Sequence, residues 1–470
     1  MDQYLALIPE FIVLTAAIAA LFATLFGGDR AAAILGAFAS LGAAAVVWVV
    51  PAPGAILGGM LELGPETPGL MLRSMLPALT AIFLAWVVAR GWAGIRAREG
   101  VSLALFVTLG SMLLVSTRDI VVLYISLELS AMATYVLVGY LTTDRRSLEG
   151  ALKYFLMSVL TSMFFAYGLS FVYGMNGTTA YQPLRVAGPE WLGTVVAVFV
   201  LFGMLAKIAA VPFHYWSPDA TAGAPSTSAA FISSVAKVAP MWALVRFLAE
   251  VFPDVAGLDA ALLISAVLSI ALGTFAALPQ TDVRRLVAYS GIANIGYALL
   301  AVSAGTAEGY AGAIFYVFAY ALASLGLMLV VAQEGATLTD VAGLVKRRPY
   351  AAWAAVVFLF SIIGFPPFIG FYGKLAAFSA ALNAGHVWAV VWAVLFSVIA
   401  GGYAFKVIRA MFTPGESAPE MVERSSLEES SAYRQYPVLA GAVILLLAAL
   451  VLGLGLATEP VVALFEATLL

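Results

Sequence analysis

Apolar windows close to the ~20 residues that cross a bilayer succeed one another along this chain. Fourteen are countable, at approximately 5–26, 31–50, 70–90, 101–117, 120–141, 147–174, 190–214, 226–250, 258–278, 284–304, 309–333, 350–382, 387–412 and 437–457. Inside a bilayer each backbone donor and acceptor needs a protein partner, which leaves helices or a closed barrel. No window alternates in the manner of a barrel strand. The expected fold class is an all-α polytopic membrane protein, a single membrane domain over 1–470 with about 14 transmembrane helices. Composition agrees, since 63% of residues are hydrophobic and 10% charged, against about 25% charged in soluble domains.

The same composition excludes several functions. The chain has no cysteine, so thiolate-held iron–sulfur clusters, disulfides and a nucleophilic thiol are ruled out. His214 and His386 are the only histidines, too few and too far apart in sequence for a promising metal or haem site. A net charge of −3 without a basic patch gives no case for nucleic acid. The N-terminal MDQYLALIPEFIVLTAAIAALFATLF lacks a positive leader and carries Asp2 and Glu10, so it reads as a first spanning helix, not a cleaved signal peptide.

Lysine and arginine in the connections set orientation. Odd-numbered loops hold Arg30, Arg90, Arg96, Arg98, Arg145, Arg146, Arg284, Arg285, Lys346, Arg347, Arg348, Arg409, Arg424 and Arg434, and even-numbered ones Arg73, Arg118 and Arg185. This bias places the odd loops in the cytoplasm and both termini on the opposite side of the membrane. The long polar segment 413–436, acidic and Ser-rich, is then a cytoplasmic loop. It reads as a solvated connection or as a docking surface for a neighbouring subunit.

Two spans carry prolines where a helix should be continuous. The seventh reads LFGMLAKIAAVPFHYWSPDATAGAP and the twelfth FSIIGFPPFIGFYGKLAAF. Proline removes a backbone donor, and broken backbone at membrane depth persists where it is enclosed by protein or lines a wet cavity. The two broken spans lie five apart. That offset suggests an inverted repeat, spans 4–8 (101–250) against 9–13 (258–412), a recurring transporter plan.

Charge inside the spans is scarce. Glu128 stands well away from a span end, as do Lys153, Lys207, Lys237 and Lys374, while Arg246 and Lys406 lie nearer the ends. A charge at a helix centre costs about 2.5–3.5 kcal/mol, so these five demand pairing, enclosure or water. Arg246 and Lys406 read as snorkelling to the interface. Lys153 reads either as snorkelling or as a buried group. Lys207 and Lys374, beside the breaks, could satisfy freed carbonyls or titrate, and Glu128 could be a static ion pair. Together, one acid and several buried lysines on separate helices suit a proton relay, because burial and neighbouring charge move such groups between protonation states. His214 would sit between Lys207 and Lys237, its imidazole titrating near neutrality; His386 reads as a loop residue.

The stretches LYISLELSAMATYVL, EGALKYFLMSVLTSMFFAYGLSFVYG, AKIAAVPFHYWSPDATAGAP, SSVAKVAP, RRLVAYSGIANIGY, LTDVAGLVKRRPY and IIGFPPFIGFYGKL, in order along residues 120–380, resemble the antiporter-like membrane subunits of respiratory complex I. Among these the resemblance is to the subunit N branch, on the VPFHYWSPDATAGAP turn, the twelfth-span Lys374 and the initial IPE. The resemblance implies a proton-translocating subunit of an NADH:quinone oxidoreductase, coupled to quinone reduction elsewhere. It makes Glu128 the fifth-helix glutamate, Lys207 its seventh-helix partner, Lys153 the sixth-helix lysine, and His214 the histidine of the PFH motif. Lys237 becomes the central lysine and Lys374 the twelfth-helix lysine towards the exit. Separation of Glu128 from Lys207 would then send a proton towards Lys237 and Lys374. No cofactor is expected in this chain; FMN, iron–sulfur clusters and quinone belong to partner subunits. The expected partners are M-, K-, A- and J-like membrane subunits, lipid and protons. Asn294 departs from the pattern, standing where many members carry histidine; an amide bonds water but does not titrate near neutrality. Two rivals stand beside this reading: a cation/proton antiporter subunit of the Mrp type, which shares these motifs, and a structural membrane subunit whose ion pairs are inert.

Overall fold

The computed structural model describes residues 2–23, 28–50, 54–64, 69–92, 96–186, 189, 191–414 and 437–458. The acidic loop expected over 413–436 lies outside the described residues beyond its first two positions. In chain order the elements are α1 (Asp2–Leu5), α2 (Ile8–Leu21), α3 (Asp29–Val46), β1 (Ala55–Ile56), β2 (Leu61–Glu62), α4 (Leu70–Arg90), α5 (Ala97–Ser116), α6 (Ile120–Val138), α7 (Arg145–Asn176), α8 (Trp191–Lys207), α9 (Trp216–Gly223), α10 (Ser226–Ser233), α11 (Val238–Glu250), α12 (Leu258–Ala277), α13 (Val283–Val302), α14 (Ala307–Glu334), α15 (Leu344–Arg347), α16 (Pro349–Ile363), α17 (Ile369–Asn383), α18 (Val387–Phe412) and α19 (Pro437–Leu456). Among the described residues, 11 helical stretches are long and apolar enough to cross a membrane, α10 and α11 counting as one. Three more, α2, α8 and α16, are apolar but shorter. The small β1–β2 hairpin, with Ala55 opposite Glu62, is the element that hydropathy did not anticipate.

Helix ends follow local chemistry. Asp119 accepts hydrogen bonds from Val121 N and Val122 N at 2.8 and 3.1 Å, Asp144 from Arg146 N at 2.8 Å, and Asp282 from Arg284 N at 2.9 Å. Each satisfies donors that the first helical turn leaves free. Gly177 closes α7 with φ 69°, a left-handed conformation that a side chain would disfavour.

Burial sorts the helices into two sets. The apolar window of α14 is wholly enclosed, and those of α10–α11 and α13 nearly so. A helix apolar on every side belongs in the interior. The windows of α3, α6, α7, α18 and α19 are less than half enclosed, and large side chains such as Phe38, Met163 and Val398 face outward. Small residues let the inner helices close up: a Cβ on Gly273 would run into Ala293 N, and one on Gly296 would lie 2.8 Å from Ala266 O.

Three charged residues sit differently from their expected places. Arg73, counted with the loops, is buried in the first turn of α4 and pairs with Glu10 at 2.6 Å, also donating to Ala6 O. Arg246 does not snorkel. It is 6% exposed and donates to Glu250 at 2.6 Å and Glu62 at 3.0 Å. Arg118 bonds the same two carboxylates, at 2.9 Å for Glu250 and 3.4 Å for Glu62, so four side chains from β2, the α5–α6 junction and α11 close an alternating ring. Lys406 turns inward too, donating to Leu278 O at 3.1 Å and Gln280 O at 2.9 Å past the end of α12; the carbonyls of a finished helix attract a cation. In each case desolvation makes a fixed acceptor worth more than a reach to the interface.

The Glu10–Arg73 pair yields a stability prediction. Arg73→Met strands a buried carboxylate, and removing one partner of such a pair costs about 3–5 kcal/mol. The expected result is a clearly lower thermal unfolding midpoint of the purified protein in detergent. Glu10→Gln combined with Arg73→Met should recover part of it.

Candidate functional site: a half-buried carboxylate and three enclosed lysines

α8 ends at Lys207 and helix resumes at Trp216; Pro212 lies in the connection. Lys207, its side chain 6% exposed, donates to Glu128 Oε1 of α6 at 2.8 Å and to Ser158 Oγ of α7 at 2.9 Å. Ser162 of α7 donates to the same Glu128 oxygen at 2.6 Å, and Tyr135 donates to Ser158. The carboxylate that hydropathy marks as an expense therefore has one cation and one hydroxyl on a single oxygen. Lys207 bonds Glu128 and Ser158, not the carbonyls freed by the break.

Lys237 lies in a short 3-10 turn, Val235–Lys237, that separates α10 from α11; Ser234, at φ −119° and ψ −84°, interrupts the helix there. The lysine is 3% exposed. Its Nζ and the Tyr320 hydroxyl both abut Gly291 of α13, where an added Cβ would lie 3.1 and 2.7 Å from them. Among the described residues Lys237 has no ion-pair partner.

Lys374 of α17 reaches back across the second interruption. α16 ends at Ile363 and α17 begins at Ile369, with Pro366 and Pro367 between. Nζ donates to Ile363 O at 2.8 Å and to Ser397 Oγ of α18 at 2.9 Å, and stands 4.3 Å from the centroid of Tyr297. Here the ammonium does satisfy a carbonyl at a helix end, and gains a ring face as well. Lys374 and Ser397 border a cleft of about 420 Å³ edged by Phe365, Phe371 and Phe405.

α13 runs between the last two lysines. Its Gly291 meets Lys237 and its Tyr297 underlies Lys374. Between them Asn294 donates through Nδ2 to Ser290 O at 2.7 Å and accepts from the Tyr316 hydroxyl of α14. The Asn294 oxygen thus ties α13 to α14, while its nitrogen returns to the backbone of its own helix.

The remaining candidates sit apart. Lys153 is not buried: its side chain is 48% exposed, and it pairs with Glu149 and with Asp219 of α9, both at 2.7 Å. His214 is enclosed, 4.3 Å from the Tyr215 ring between centroids, with Nδ1 lacking a hydrogen-bond partner; it bonds neither Lys207 nor Lys237. His386 caps the start of α18 in the turn after α17. Sequence reasoning passed over Ser158, Ser162, Tyr135 and Asp219. A signal existed for the two serines: Tyr154, Ser158 and Ser162 recur at four-residue steps in an otherwise apolar stretch of α7.

Residues 117–400 match the family described as "NADH:quinone oxidoreductase/Mrp antiporter, TM". The chain belongs to that family. Within the quinone oxidoreductase/Mrp antiporter family it is similar to NADH-quinone oxidoreductase subunit N of Sphingopyxis alaskensis, 36% identical over 437 residues that cover 90% of this chain and 91% of the relative. Subunit N of Rhodospirillum rubrum is 38% identical over 329 residues, 67% of this chain and 68% of the relative. Among solved structures, a chain of respiratory complex I from Thermus thermophilus superposes with a TM-score of 0.81 at 28% identity, covering 98% of this chain and 100% of that one. A chain of the Mrp complex from Dietzia has the same fold, with a TM-score of 0.80 at 22% identity over 99% of this chain and 96% of that one.

Proposed function

We infer that this chain is a proton-translocating membrane subunit of an NADH:quinone oxidoreductase, of the subunit N type, working beside other membrane subunits in a multi-subunit complex. The observation that carries the reading is the Lys207–Glu128 pair at the end of α8, 2.8 Å across, in a chain similar to subunit N over nine-tenths of its length.

In this reading fourteen spans arise when α2 and the α8–α9 and α16–α17 pairs are each taken as one crossing. Residues 101–250 and 258–412 form the inverted repeats, with the broken helices seventh and twelfth. Both termini face away from the cytoplasm of a bacterial inner membrane, as the arginine and lysine bias favours. FMN, iron–sulfur clusters and quinone belong to partner subunits, which include M-, K-, A- and J-like chains; a chain without cysteine suits that division of labour.

The residues then divide the work as follows. While Glu128 is ionised beside it, Lys207 holds its proton, because an opposite charge at hydrogen-bond distance favours the ammonium. A change in the neighbouring subunit that withdraws or neutralises Glu128 leaves Lys207 charged without a counter-charge, and its proton moves on. Lys237, enclosed and without an acid, can accept and release it. Lys374, held by a carbonyl, a serine and a ring, is the last station. Asn294 holds Ser290 and Tyr316 in place between the two and does not itself titrate. His214 and Lys153 take supporting places near the break and at the cytoplasmic end.

Identification of the co-purifying subunits by mass spectrometry tests the assignment. Redox subunits should accompany the chain, and proton uptake into vesicles should require NADH and quinone. Proton flux that instead follows a sodium gradient, with no redox subunit present, would establish the antiporter reading.

A further inference from the structure

We propose that an anionic phospholipid seats in the groove between α6 and α7, its phosphate on Arg145 and one acyl chain running inward as far as Tyr135 and Phe155. The site stands on the groove and the guanidinium alone. Its bearing on the Glu128–Lys207 pair rests on the proton-translocating reading above.

The groove holds about 740 Å³ and is edged by Tyr135, Val136, Gly139 and Tyr140 on one side and by Leu152 and Phe155 of α7 on the other. Its floor is made of small residues. A Cβ on Gly139 would lie 2.7 Å from the Ala151 Cβ, so the helices come together there and the larger side chains stand apart above. Val136, Leu152 and Phe155 face outward, 49%, 57% and 47% exposed. Contiguous apolar surface of this kind calls for an apolar occupant.

Depth and charge select a lipid. α7 has 32 residues, more than the ~20 that cross the hydrocarbon, so its first turn, just after Thr142, Thr143 and Asp144, stands at headgroup level. Arg145, Leu148, Leu152 and Phe155 follow at steps of three and four and share one helix face. Ten residues of helix rise about 15 Å, half of the ~30 Å hydrocarbon core, which is the depth of one leaflet. Arg145 is exposed, and among the described residues its guanidinium has no hydrogen-bond or ion-pair partner. The nearby carboxylates are engaged: Asp144 accepts from Arg146 N at 2.8 Å, and Glu149 pairs with Lys153 at 2.7 Å. Arg146 lines a separate cleft with Glu149, Asp219 and Asp282. A planar guanidinium bonds a phosphate through two parallel N–H groups. A headgroup of net negative charge keeps that attraction whole, whereas a choline head brings a cation of its own that offsets it.

The inner end of the groove touches the support of the ion pair. Tyr135 is part of its wall and donates to Ser158, whose Oγ accepts from Lys207 at 2.9 Å. The Tyr135 ring meets Phe155 edge to face at 5.8 Å and Tyr154 at 4.7 Å. An acyl chain against the open side of this ring completes its packing and holds the hydroxyl on Ser158. When the groove empties, the ring regains freedom and its hold on Ser158 loosens. The lipid thereby bears on how firmly Lys207 is placed beside Glu128.

The test uses the complete complex in detergent, stripped of lipid and incubated with a phosphatidylglycerol that carries a diazirine in one acyl chain. After illumination, peptide mass spectrometry should place the label between residues 135 and 155. Unlabelled phosphatidylglycerol should compete it and phosphatidylcholine should not. Arg145→Gln should lower labelling about fivefold, the worth of one basic group at an anionic surface. Leu152→Trp, at an outward position, fills the groove and should remove the label with Arg145 intact. Labelling that phosphatidylcholine competes equally, that neither variant changes, or that is absent because a neighbouring subunit covers the groove overturns the site. Proton-to-electron ratios in vesicles test the link to the pair: phosphatidylglycerol in place of phosphatidylcholine should raise the ratio in wild type and not in Leu152→Trp. Normal labelling without that rise overturns the link. Normal labelling in a complex that pumps no protons with either lipid overturns the proton-translocating reading instead.

Discussion

Lys237→Arg is expected to stop proton pumping as completely as Lys237→Ala does. The two variants separate what Lys237 contributes as a charge from what it contributes as a titrating group. Arginine keeps the positive charge and much of the stem, but its guanidinium is not deprotonated in proteins. A lysine present only to balance the interior would tolerate the exchange. A lysine that must give its proton up would not, and loss of a positioned acid–base group slows transfer by about 10²-fold or more. The setting sharpens the contrast, because Lys237 is enclosed against Gly291 and Tyr320 with no ion-pair partner among the described residues. The measurement is the initial rate of dye-reported vesicle acidification after NADH addition. Pumping at the wild-type rate in the arginine variant would reduce Lys237 to a structural charge.

The second large effect concerns Glu128. Glu128→Ala leaves the Lys207 ammonium buried with only Ser158 as acceptor, and stranding one member of a buried pair costs about 3–5 kcal/mol. Glu128→Gln keeps an oxygen for Lys207 and Ser162, so its stability loss should be smaller while pumping is lost to the same degree. Adding Lys207→Met to Glu128→Ala removes the stranded charge; the thermal midpoint of the complex should then rise again with no return of pumping. A double variant no more stable than Glu128→Ala alone would mean that the pair is weakly coupled in the folded protein.

Much of this arrangement was legible in the sequence. Helix positions follow from the apolar windows because a membrane leaves the backbone few choices. Both interruptions fall at Pro212 and the Pro366–Pro367 step, where proline removes a ladder donor, although α4 runs on through Pro77. The link between Glu128 and Lys207, 79 residues apart, came from the family resemblance and not from spacing, which carries no information about which helices meet. Hydropathy failed where a partner decided the outcome. It rates Arg246 by its average cost and so sends it to the interface, whereas Glu62 and Glu250 hold it inside. It places Lys153 within a span, but the side chain is 48% exposed, with Glu149 and Asp219 both 2.7 Å from the ammonium. Serines score as mildly polar wherever they occur, so Ser158 and Ser162 stood out only through their four-residue rhythm. The break at Ser234 is marked only by Pro240, in the first turn of α11, where a proline is tolerated.

One consequence follows from the unequal company the lysines keep. Glu128 and Lys207 together carry no net charge across their 2.8 Å contact, so a voltage across the bilayer acts on them only as on a short dipole. Among the described residues Lys237 has no such counterweight. An ammonium crossing the whole field gains or loses about 2.3 kcal/mol per 100 mV, and Lys237 feels the fraction of this that its depth sets. The energised membrane therefore presses directly on whether Lys237 holds its proton, and hardly at all on the intact Glu128–Lys207 pair.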